Sequence, residues 1–175
     1  MIPSNLIKPM LLAHAYGNLK STCEKRQIGS VIPIGESLIF GANKANNVWD
    51  CCKPRELCDA QHSEVDAINN IPTDLLGLET SMFVWCEVPC VACLRTIRRD
   101  SEISTIYCLT IESYGTTYPA VLLADRVKEH KNRRTLAANL GIEVIELDLK
   151  EIQEHELYRN GSLDIEVELL KSNQA

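Results

Sequence analysis

Apolar residues fall first in a helical rhythm and then in short runs parted by turn residues. Residues 9–19, PMLLAHAYGNL, open on a proline, which suits a helix start because its missing N–H would have no intrahelical partner there. A helix is predicted from Pro9 to Leu19. IGSVIPI (28–34) and SLIFGA (37–42) are rich in β-branched and apolar residues around Gly35-Glu36, the pattern of a hairpin. Residues 43–59, NKANNVWDCCKPRELCD, show little apolar periodicity, and Asp59 is suited to cap a helix over 60–70. TSMFVWC (80–86), STIYCLT (104–110) and IEVIELD (142–148) then read as strands. Between them lie predicted helices over 90–100 and from Pro119 to Leu140, the second ended by Gly141.

After the hairpin the order is helix, strand, helix, strand, helix, strand. Strands joined through helices pair in parallel, because a parallel partner needs a crossover of that length. The expected class is α/β, a three-layer α/β/α fold with a five-stranded mixed sheet flanked by helices. Residues 1–175 are expected to form one domain, with its core over 9–148 and a polar C-terminal extension over 149–175.

Composition changes this picture little, since 45% hydrophobic and 24% charged residues are ordinary for a globular chain. Charge narrows the partners. A net charge of −6 and 5% aromatic residues argue against long nucleic acids, which are met by basic faces and stacking rings. A small anionic substrate stays open if Lys25, Arg26 or Lys44 supplies a local cation. The basic run KEHKNRR (128–134) spreads its charges around a helix and reads as a solvated face. The first seventeen residues lack a basic leader, and Lys8-Pro9 interrupts the apolar run, so no signal peptide or membrane span is expected and the location should be cytoplasmic.

Eight cysteines in a reducing compartment point to metal sites or buried thiols rather than disulfides. Cys86 and Cys108 lie in apolar runs and read as small buried hydrophobes. Two other stretches carry chemistry: QHSEVD (61–66) and PCVACL (89–94). Cys90 and Cys93 at i and i+3 share a helix face, and a helix start favours the thiolate form that ligates. His62 falls at the start of the preceding helix. One imidazole and two thiolates make three zinc ligands and leave a fourth position for water, the arrangement of catalytic zinc. Glu64, two residues from His62, can approach that water as the proton carrier.

The ordered pair HxE and PCxxC resembles the zinc-dependent nucleobase deaminases, whose signature is H-x-E…P-C-x-x-C. Over about residues 9–148 the chain is most similar to the deoxycytidylate (dCMP) deaminases of phage type. STCEKRQIGSVI (21–32) is similar to that family's lead into its first strand, and FGANKANN (40–47) stands where the family has a glycine-tyrosine-asparagine-glycine segment. The resemblance implies a cytidine-deaminase-like fold and hydrolysis of dCMP to dUMP and ammonia with Zn2+. Asn43 would contact the sugar hydroxyl, Ser63 would line the substrate pocket, and Tyr114 or Tyr118 would lie beside base or phosphate. A homo-oligomer is implied, with dCTP and dTTP as candidate effectors. The chain departs from the family at Ser63 for alanine, Lys44 for glycine and Cys86 for threonine. The alternatives are a deaminase of cytosine, cytidine or guanine, and a catalytically silent zinc module.

Cys23, Cys51, Cys52 and Cys58 form a candidate second site. Cys23 precedes the first strand and the other three crowd the loop after the hairpin, so folding the hairpin back brings them together. Four thiols close a tetrahedron with no open position, a structural site pinning a loop with little to bury. Some phage-type dCMP deaminases carry a second zinc between the corresponding regions. His14 is a remote substitute ligand.

Overall fold

The computed structural model describes residues 2–23, 26–45, 60–115 and 120–159. The elements are α1 (Ser4–Lys20), β1 (Gly29–Ile34), β2 (Ser37–Ala42), α2 (Ser63–Asn69), β3 (Ser81–Val84), α3 (Val91–Asp100), β4 (Thr105–Leu109), α4 (Ile111–Gly115), α5 (Ala120–Asn139), β5 (Glu143–Leu147), α6 (Leu149–Glu154) and α7 (Glu156–Arg159). The five strands form one sheet in the order β2-β1-β3-β4-β5. β1 runs antiparallel to β2 and β3, while β3-β4 and β4-β5 are parallel. This is the expected mixed sheet with helices on both faces.

Strand alternation divides the core in two. Ile32, Met82, Val84, Ile106 and Cys108 point to one face, where Ala67 of α2, Leu94 and Ile97 of α3 and Ala137 of α5 cover them. Val31, Phe83, Leu109 and Leu147 point to the other, under Ile7, Met10 and Leu11 of α1 and Ile152 of α6.

α1 begins at Ser4, not at the predicted Pro9, which lies inside it. Pro3 is the cap, and its carbonyl accepts the N–H groups of Leu6 and Ile7. Burying Ile7 and Met10 against the sheet outweighs the hydrogen bond that Pro9 cannot make. Glycine allows two helices to approach this closely. A Cβ on Gly29 would stand 2.0 Å from the Ala13 carbonyl oxygen of α1, and one on Gly41 would stand 2.1 Å from the Ser63 carbonyl oxygen of α2. Gly41 thereby sets the distance between β2 and the helix that follows His62.

Candidate active site

α2 and α3 start at the same edge of the molecule. His62 is the residue before the first turn of α2 and Cys90 the residue before the first turn of α3, one step outside the helical positions predicted for them. α3 follows the C-terminal end of β3, where open α/β sheets place their ligands. Regular β3 ends at Val84, and the chain turns through 85–88 to Pro89 instead of continuing as the predicted strand to 86. The Cys90 sulfur accepts the Cys93 backbone N–H at 3.5 Å and so caps α3.

Three side chains converge across these two helix starts. His62 Nδ1 is 3.6 Å from Cys90 Sγ and 3.3 Å from Cys93 Sγ, and the two sulfurs are 3.5 Å apart. A tetrahedral zinc with sulfur at about 2.3 Å and nitrogen at about 2.0–2.1 Å requires edges of roughly 3.5–3.8 Å, so the triangle has the size of one face of that tetrahedron. Among the described residues this is the one cluster of its kind. His62 is exposed, Cys90 half-buried and Cys93 buried, so the imidazole forms the outer edge.

The electrostatics fit a cation as well. The Cys90 thiol is pulled down to about 3, first by its hydrogen bond with the Cys93 sulfur and then by that with His62, against the effect of burial. The same Cys93–Cys90 contact, with burial, pushes the Cys93 thiol far up. Two crowded sulfurs beside an imidazole suit a divalent ion, which would bind both as thiolates. The donor set and its dimensions therefore fit zinc, with His62, Cys90 and Cys93 as ligands.

Glu64 is buried beside this triangle. Burial raises its carboxyl pKa, opposed mainly by the charge of His62 and in part by the Ser63 hydroxyl. Ser63 Oγ donates to Glu64 Oε2 at 3.1 Å and meets Ser30 Oγ at 2.7 Å, and both serines are fully buried. The Ser63 hydroxyl, expected at the substrate, is engaged by Ser30 and Glu64.

The Asn43 side chain is equally engaged. Its Oδ1 accepts the Ser21 hydroxyl at 2.6 Å and the Ile28 N–H at 2.9 Å, while Nδ2 donates to the Arg26 carbonyl at 2.6 Å. It ties the end of β2 to the segment entering β1. Lys44 forms a backbone bridge with Gln61, the residue before His62, through bonds of 2.8 and 2.9 Å. Its ammonium pairs with Asp66 at 2.6 Å. Asp66, one helical turn past His62, also accepts the buried Ala42 N–H at 3.0 Å. Sequence reasoning missed this residue, although an acid inside the apolar stretch VDAI was a signal of a buried partner.

Tyr114 lies in α4, and its side chain, with all of Tyr118, lies outside the described residues. Lys25, Cys51, Cys52 and Cys58 also lie outside them. Cys23 is a buried free thiol, and His14 stacks on Trp85 with ring centroids 4.3 Å apart.

Sheet order, flanking helices and the two helix starts define a cytidine-deaminase-like fold. The dCMP deaminase of the cyanophage S-TIM5 shares it: the apo structure superposes with a TM-score of 0.56 at 15% identity, covering 84% of this chain and 100% of that one. Its complex with dCMP and dUMP gives 0.59 at 18% identity over 84% and 99%. NE0047 in complex with 2,6-diaminopurine gives 0.50 at 17% identity over 91% and 82%. No family model and no curated protein matches the sequence.

Proposed function

We propose that the chain is a zinc-dependent hydrolytic deaminase of a cytosine nucleotide, with dCMP the first substrate to test. The observation that carries this is the triangle of His62, Cys90 and Cys93 at zinc dimensions with the buried Glu64 carboxyl beside it. Supporting it are the fold shared with a phage dCMP deaminase crystallised with dCMP and dUMP, and the similarity of 21–32 and 40–47 to that family.

Zinc held by the three residues would acidify a water and supply the charge that hydrolysis needs. Glu64 does the proton work. It takes a proton from the attacking water and passes it to the ring nitrogen as C4 becomes tetrahedral. It then takes the second proton from the new C4 hydroxyl and delivers it to the amine, so that the C4–N bond breaks, ammonia leaves and a carbonyl remains. Its buried position beside the triangle and its bond to the Ser63 hydroxyl hold the carboxyl where it can exchange protons with the attacking water and the substrate. Ser63 holds the Glu64 carboxylate through its hydroxyl, and Asn43 shapes the edge facing the sugar. The same reading brings a homo-oligomer, with dCTP and dTTP as effectors to be tried. A purine base is the second reading, favoured by the likeness to NE0047 with its 2,6-diaminopurine.

Ammonia release from cytosine, cytidine, deoxycytidine, CMP, dCMP, dCTP, guanine and adenosine tests the proposal. The highest turnover should fall on dCMP, and a faster unphosphorylated substrate would overturn the nucleotide assignment. Zinc analysis of the same preparation addresses a structural ion on Cys23, Cys51, Cys52 and Cys58. Two ions per chain, reduced to one by Cys58→Ser, support it; one ion, lost on changing Cys90, removes it.

A further inference from the structure

Lys128, Lys131 and Arg134 of α5 are exposed as a solvated face would have them, but three other basic residues of the helix are not. Arg126, His130 and Arg133 are all buried. His130 Nε2 pairs with Glu146 of β5 at 2.9 Å. The two arginines reach a different target. Arg126 Nη2 donates to Glu87 Oε1, and Arg133 Nη1 lies 3.5 Å from the same oxygen. Arg133 Nη1 also donates to the Val88 carbonyl at 3.2 Å, while its Nη2 pairs with Glu129 one turn earlier on α5.

Glu87 and Val88 are the two residues before Pro89-Cys90. They end the turn in which β3 gives way to α3, where Cys86 N–H bonds back to the Val84 carbonyl at 2.8 Å and the Cys86 carbonyl accepts Leu109 N–H at 2.8 Å. The turn is thus gripped by β4 on one flank and by α5 on the other. Stability alone is a poor reason for this arrangement. Desolvating each ion costs several kcal/mol, and apolar side chains of similar size hold a helix to a sheet at least as well. A guanidinium fork differs in being directional: its planar donors fix a carboxylate and a carbonyl at once. The zinc triangle needs such direction, because His62 and the two cysteines come from different helix starts and a shift of the turn opens its edges.

We infer that Glu87, Arg126 and Arg133 form a positioning clamp that sets Cys90 and Cys93 against His62. The inference rests on the zinc reading of the triangle. None of the three touches the ion; they act through the backbone of 87–90. Groups of this kind that orient ligands typically contribute about 10–100-fold to metal affinity.

The test compares zinc-loaded wild type with Arg133→Lys, Arg126→Lys and Glu87→Gln. The readouts are zinc release to a chromophoric chelator and the thermal midpoint. Ile152→Val, a core change on the opposite face of the sheet, is the control for general loosening. The clamp variants should release zinc about tenfold faster or more, while Ile152→Val should leave release unchanged at a comparable loss of midpoint. Should an arginine variant fail to fold, Glu87→Gln, which removes the charge that both guanidiniums meet while keeping the side chain's size, carries the same expectation. Unchanged release in the folded clamp variants, or equal acceleration in Ile152→Val, would overturn the clamp. A wild type whose zinc does not depend on His62, Cys90 and Cys93 overturns the zinc reading itself, a different result.

Discussion

The two faces of the sheet bury similar aliphatic side chains, yet they differ in what lies among them. Under α1 and α6 the packing is Ile7, Met10, Leu11, Val31, Leu109 and Ile152 with stacked Phe83 and Tyr107, and the half-buried His14 lies at its edge. Under α2, α3 and α5 the aliphatic cluster is accompanied by buried Glu64, Asp66, Glu87, Arg126, His130 and Arg133. Buried ions are expensive, and an aliphatic layer suffices to hold a helix on this sheet, as α1 demonstrates. The charged face instead places groups: Glu64 stands beside the His62–Cys90–Cys93 triangle, Asp66 accepts the strand-end N–H of Ala42, and Glu87 in the turn before Cys90 meets Arg126.

The comparison breaks most severely at the metal triangle. Cys93→Ala or His62→Ala should abolish ammonia release and lose the zinc of this site, measured by metal analysis, while core substitutions under α1 leave the bound zinc in place. Glu64→Gln comes next. It should retain zinc and lower kcat by about 10²–10⁴-fold, the usual contribution of a positioned acid-base group. Steady-state kinetics with metal analysis would sink the assignment if kcat were unchanged.

Smaller effects sharpen the contrast within the charged face. Asp66→Ala leaves the buried Ala42 N–H without its acceptor and should cost about 1–3 kcal/mol in urea unfolding. Lys44→Met removes only the half-exposed partner of the same carboxylate and should cost about 0–1 kcal/mol. Equal costs would mean that the ion pair, not the strand-end hydrogen bond, is what Asp66 contributes.

The smallest effect belongs to the α1 face. Burial lowers the His14 pKa, and Nε2 faces the Asn18 amide at 3.0 Å, a contact that suits neutral imidazole. The unfolded chain then takes up a proton first as pH falls below about 6.5, so stability should decline there and be flat above. His14→Gln should flatten that acid limb in urea titrations at pH 5 and 7. A limb of unchanged slope would remove His14 as its source.

Much of this molecule was determined by the sequence alone. Short apolar runs bounded by turn residues marked all five strands, because helices cover the sheet on both faces. HxE with PCxxC marked the three residues that converge as a possible metal site, because ion size constrains which residues can share it. Helix ends were less legible. Pro9 looked like a start by local rules, yet the burial of Ile7 carried α1 back to Ser4. The tertiary structure alone decided the partners of the charged and amide groups. KEHKNRR has the pattern of a wetted helix, and only the packing of α5 against the 85–88 turn placed Arg133 on Val88 and Glu87, some 45 residues away in sequence. Asn43 and Ser63 likewise read in sequence as substrate contacts, while their hydrogen bonds go to Ser21, Ile28, Arg26, Ser30 and Glu64. Periodicity reports which face a residue occupies; what a polar group meets on that face depends on which distant segment the fold packs there, and that information is not local.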